Sequence, residues 1–144
     1  MKKLFVAIVI GLALYGFLAH TPNVVPPQER QPYTADDPLT RAYRNRQSNV
    51  QVRGAGVVSR VFPDDTKGSR HQKFIVRLPS GQTLLISHNI DLAPRIESLH
   101  QGDTVEFYGE YEWNEKGGVV HWTHHDPTRR HVGGWLRHKG ISYQ

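Results

Sequence analysis

The densest run of reactive side chains is "HWTHHDP", His121 to Pro127, with three histidines and an aspartate around a tryptophan. Imidazole and carboxylate are the donors that zinc and related divalent ions take when thiolate is lacking. Five of the chain's nine histidines fall between His121 and His138. The chain has no cysteine, which excludes disulfides, zinc–thiolate sites, iron–sulfur clusters and thiol catalysis. A metal here must therefore be held by His, Asp, Glu or Asn. His124, His125 and Asp126 are the expected metal ligands.

A second polar group lies in "GSRHQ" and "SHNID". If Leu78 opposes Thr83 across the turn "PSGQ", Lys73 faces His88 and His71 lies near Asn89. Arg70, His71, His88, Asn89 and Asp91 then gather at one end of a hairpin. If the two groups meet, His71, His88, His124 or His125, and Asp126 make a ligand set for zinc or a similar ion. An open coordination position would activate water. Arg70 would grip a phosphate or carboxylate in a forked hydrogen bond. For each histidine taken singly, the plainer reading is a side chain satisfied by backbone or glutamate.

The elements that must position these residues read as strands. "VQVRGAGVVSRVF" is a long strand in which Gly54 and Gly56 suggest a bend or bulge. "KFIVRL" and "TLLISH" form a hairpin, and "NIDLAPRIESLHQ" interrupts the strands. "GDTVEFYGEYEWN" alternates Val105, Phe107, Tyr111 and Trp113 with Glu106, Tyr108, Glu110 and Glu112. "VVHWTHH" reads as the last strand. With Trp113 opposite Val120, His121 shares a face with Glu110 and Glu112 and directly neighbours Glu112. His121 joins Arg70, His71, His88, Asn89 and Asp91 as an expected ligand-binding residue. Most of the glutamates read as an ordinary solvated face. "DPTRRHVGGWLRHKGISYQ" reads as an irregular tail with Trp135 and Tyr143 packed against the domain. The expected fold is all-β, a five-stranded OB-like antiparallel barrel, with a small sandwich as the alternative.

A short helix should precede the barrel, with Asp37 as cap and Pro38 at its first position. Leu39, Ala42 and Tyr43 face inward, and Arg41, Arg44 and Arg46 line a solvated surface. Upstream, residues 20–36 are proline-rich and read as an extended linker. Residues 1–19 carry Lys2 and Lys3 before an apolar run, Leu4 to Ala19, the layout of a signal peptide or membrane anchor. The domain is expected over residues 37–144, exported, in the periplasm or tethered to the inner membrane facing it. The net charge of +5 falls to +3 once Lys2 and Lys3 are set aside. Such a surface tolerates an anionic small molecule or nucleic acid without being a dedicated nucleic-acid binder.

"DDTKGSRHQKFIVRLPSGQTLLISHNIDLAPRI", "GDTVEFYGEYEWNEKGGVVHWTHHDP" and "GGWLRHKGISYQ" resemble a family of short exported bacterial proteins, defined only as a domain of unknown function. The resemblance runs from about Val50 to Gln144. It implies that Arg70, His71, His88, Asn89, Asp91, His121, His124, His125 and Asp126 belong to the family's shared pattern, and it implies no activity. Three functions stay open on sequence: a binding module for an anion or divalent metal, a metal-dependent hydrolase acting on phosphodiesters, and a structural envelope protein.

Overall fold

The computed structural model describes residues 37–144. The signal or anchor segment and the proline-rich linker lie outside the described residues. Among the described residues no helix is long and apolar enough to cross a membrane.

Helix α1, Pro38–Arg44, starts where the sequence places it. A carboxylate oxygen of Asp37 accepts from the backbone N–H groups of Leu39 and Thr40 at 3.0 and 3.1 Å. Those are two of the donors a helix start leaves unpaired. Leu39 and Ala42 are buried in the core.

Seven strands follow: β1 Val50–Val61, β2 His71–Arg77, β3 Thr83–Asn89, β4 Thr104–Glu112, β5 Val119–His121, β6 Trp135–His138 and β7 Ile141–Tyr143. The first five close into a barrel in the order β1-β2-β3-β5-β4, with β1 returning to β4. The OB-like order stands, with one correction. The β3–β5 seam is parallel, Leu85 facing Val119 and Ile86 facing Val120, so the barrel is mixed.

β1 serves both ends of the closure. Val50 to Val57 pair with β4, and from Val57 onward the strand pairs with β2. The bulge that redirects it lies between Val58 and Arg60, not at the glycines. Gly54 instead makes room for Phe107, whose ring would lie 2.7 Å from an added Cβ. Strict alternation in β4 buries Val105, Phe107 and Tyr111 and turns Glu106, Tyr108, Glu110 and Glu112 outward.

Both hairpin registers differ from the sequence reading. In β2–β3, Gln72 faces His88 and Lys73 faces Ser87, one residue away from expectation. The reason is the turn. Leu78 and Gln82 close a three-residue loop in which Gly81 takes φ 88°, where a four-residue loop was expected. In β4–β5, Tyr111 faces Val120 and Glu110 faces His121. This two-residue shift keeps every side chain on its expected face.

The last barrel strand is shorter than expected and the tail more regular. β5 stops at His121 because Trp122 takes φ 54°, a conformation that breaks the extended run. The tail forms the β6–β7 hairpin, and β6 pairs with β4 from Val105 to Tyr108, while β5 takes Glu110 to Glu112 of the same edge. Gly109 sits at the handover. A side chain there would collide with the His121 carbonyl.

Candidate functional site

Alternation on β4 and β5 sets the site. Glu110 and Glu112 point outward two residues apart, and His121 faces Glu110 across the ladder. Nε2 of His121 lies 3.5 Å from Oε1 of Glu110 and 3.5 Å from Oε1 of Glu112. That nitrogen is shielded from solvent and has no hydrogen-bond partner among the described residues. One ligand atom from each of the three residues lies within 4.8 Å of the other two.

A fourth residue reaches the group from the loop between β5 and β6. Nε2 of His131 is 2.6 Å from Oε2 of Glu110, and its Nδ1 is 2.7 Å from the Val132 carbonyl. Both ring nitrogens therefore face acceptors, which suits the imidazolium. Burial works against that charge, but the Glu110 carboxylate and the Val132 carbonyl outweigh it and raise the pKa above the ordinary histidine value. The ring also stacks on Trp122, with centroids 4.0 Å apart and planes 10° apart.

Asp126 organises the loop that delivers His131. Its carboxylate accepts from the backbone N–H and hydroxyl of Thr128 and from the backbone N–H groups of Arg130 and His131, all at 2.8 to 2.9 Å. These donors, Thr128 first, hold Asp126 well below the usual carboxylate range. The loop closes where the Gly134 N–H donates to the His124 carbonyl at 2.9 Å.

The expected metal set does not assemble. Asp126 spends its oxygens on its own loop. Nδ1 of His124 donates to the His125 carbonyl at 2.7 Å, its ring tilted against Trp122, and His125 is exposed. Among the described residues, the trio that brings metal-ligating atoms within 4.8 Å of one another is Glu110, Glu112 and His121.

The "GSRHQ" and "SHNID" group does gather at one end of the β2–β3 hairpin, but its members satisfy each other. Arg70 gives Asp91 its backbone N–H and its Nε–H, both at 2.7 Å. These bonds lower the Asp91 pKa and leave Arg70 less able to grip an anion. Asn89 Oδ1 accepts from the Asp91 N–H at 2.9 Å. His71 donates through Nδ1 to the Ser69 carbonyl at 2.8 Å.

His88 is fully buried. Its Nε2 lies 3.1 Å from the Pro94 carbonyl and its Nδ1 lies 2.8 Å from the Thr123 hydroxyl. The two motif groups therefore meet through His88 and Thr123. Burial pushes the His88 pKa down to about 4, so the ring is neutral at pH 7, with Nε2–H donating and Nδ1 accepting.

Of the residues expected from sequence, His121 alone joins the metal-ligating trio. Glu110 and Glu112 are among the three outward glutamates, Glu106 included, of which the sequence assigns at least two to a solvated face, although alternation and the hairpin set both beside His121. His131 carried no periodic signal, because its place depends on the fold of the loop.

A family model described as "Protein of unknown function (DUF3465)" matches residues 25–144. No curated protein matches the chain.

Proposed function

The chain belongs to the DUF3465 family, and we propose that it is an exported binding module for a divalent metal ion, zinc or one similar, held by Glu110, Glu112 and His121. The observation that carries this reading is the unpartnered Nε2 of His121, 3.5 Å from one oxygen of each glutamate. Ligands about 2.1 Å from a tetrahedral zinc stand about 3.4 Å apart, close to the 3.5 Å between His121 and each glutamate. His131 supports the arrangement by holding Oε2 of Glu110, which leaves Oε1 turned toward His121. Two carboxylates and one imidazole leave coordination positions for water or for an anion bridged by the metal. Export rests on Lys2 and Lys3 ahead of the apolar run from Leu4 to Ala19.

Calorimetric titration of the full-length chain with zinc at neutral pH tests the site. One ion should bind per chain, and Glu112→Gln and His121→Ala should each weaken binding at least tenfold. No uptake, or uptake indifferent to both changes, would sink the reading.

A further inference from the structure

A cavity of about 510 Å³ opens on the outer face of β1, β2 and β3 beside the β4–β5 turn. Its floor is apolar where an outward strand face would ordinarily be polar. Ile75 of β2 and Leu85 of β3 face one another in register and are half-buried. Arg60 of β1 faces Ile75 on one side, and Val119 of β5 faces Leu85 on the other.

The rim is cationic. Arg60 stands on the β1 side and Lys116 on the β4–β5 turn, and none of the lining residues is acidic. Both cations are exposed, and neither has an ion-pair partner among the described residues, unlike Lys73, which Asp65 holds. The Arg60 guanidinium lies 4.7 Å from the centroid of the Phe62 ring, so one wall offers a planar cation against an aromatic face.

An apolar floor between two unneutralised cations suits a ligand that joins a flat ring to negative charge on both sides. A fatty acid has one charged end and a chain that needs enclosure, which an open groove does not give. A nucleotide within a single strand has the required form, because a phosphate flanks its sugar on each side. Its base can lie on Ile75, Leu85 and Phe62 while phosphates reach Arg60 and Lys116. We propose that this groove binds a single strand of nucleic acid, in which a phosphate flanks each nucleoside on either side.

The groove is distinct from the carboxylate–imidazole group. Val119 faces both Leu85 and Glu112, so Glu112 stands two strand spacings, about 10 Å, from the floor. Binding in the groove therefore needs no metal, and the experiment is run in a chelator.

The full-length chain is titrated into a fluorescein-labelled ten-residue oligothymidylate and followed by anisotropy. Arg60→Glu and Lys116→Glu should each weaken binding about tenfold and lower the salt dependence by about one phosphate contact. Ile75→Asp should weaken it through the floor. Unchanged melting curves for the two charge reversals separate these effects from misfolding. Unlabelled oligomer should displace the probe and thymidine monophosphate at equal nucleotide concentration should not; equal displacement by the monophosphate overturns the assignment to a strand. Absent binding, binding indifferent to both charge reversals, or equal displacement by polyphosphate, which has no ring, overturns the proposal.

Discussion

Nε2 of His131 lies 2.6 Å from Oε2 of Glu110, twenty-one residues away in sequence, while the same imidazole stacks on Trp122. The pair couples the charge of one ring to the environment of one indole. Because the folded pKa of His131 is raised, its stabilising contribution is fully present below the unfolded value of about 6.5. It is lost as pH rises through the folded value. The Trp122 emission should follow, quenched by the imidazolium and recovering on the alkaline side. His131→Gln should sharply reduce that transition, since His131 is the ring stacked on the indole, while Trp113 and Trp135 continue to emit. A fluorescence titration that is flat in the native chain would contradict the pairing.

His88 titrates with the opposite sign. Its folded pKa of about 4 lies below the ordinary histidine value of 6.5, so the unfolded chain binds more protons between them. The contribution to stability is present above about pH 6.5 and is lost as pH falls toward 4, roughly 3 kcal/mol in all. Urea denaturation at pH 7.5, 6 and 5 should show that decline. His88→Gln should lower stability at pH 7.5 and flatten the slope, because it has no proton to gain. An equally steep slope in the variant would assign the acid sensitivity to other groups.

These two histidines also mark how far the sequence could be read. The succession of β1 to β5 along the chain, the faces of β4 and the Asp37-capped helix follow from alternation and capping, which are local. The pairing of Glu110 and Glu112 with His121 was legible for the same reason, since a two-residue error in register returns each side chain to its own face. The β2–β3 error of one residue was costlier. It set Lys73 against His88, where Gln72 lies. Gln72 is fully buried and clamps both backbone groups of Ile96, with bonds of 2.9 and 3.0 Å, which no spacing announced. Beyond His121 the alternation rule stops applying. Trp122 leaves the β region, and the positions of Thr123, His124 and His131 then depend on a loop whose shape comes from Asp126 and Gly134.

Gly134 should tolerate no side chain. An added Cβ would collide with the carbonyl oxygens of Trp122 and Tyr108, both backbone atoms that a rotamer change cannot move. Gly134→Ala is expected to cost about 3 kcal/mol in chemical denaturation. Gly133→Ala is the internal control. Its nearest neighbour would be Nδ1 of His125 at 3.4 Å, ordinary contact, so the change should stay within about 0.5 kcal/mol. Equal losses at both positions would mean that the crossing of the tail over the β4–β5 junction is not what Gly134 serves.

Asp126→Asn separates loop organisation from metal ligation. The carboxylate receives four donors, and its pKa is held below the usual range by Thr128 first and then by the N–H groups of His131 and Arg130. A depressed carboxylate stabilises the fold above its unfolded pKa and loses that contribution as pH falls through the folded value. The amide keeps one acceptor oxygen but turns an NH₂ group toward backbone donors. Hydrogen exchange should therefore quicken at Arg130 and His131, and the Trp122 fluorescence transition should broaden as His131 loses its fixed position over the indole. Zinc stoichiometry should stay at that of the native chain, because Glu110, Glu112 and His121 keep their places on β4 and β5. Loss of zinc uptake with unchanged exchange would return Asp126 to the ligand set and displace the glutamates from it.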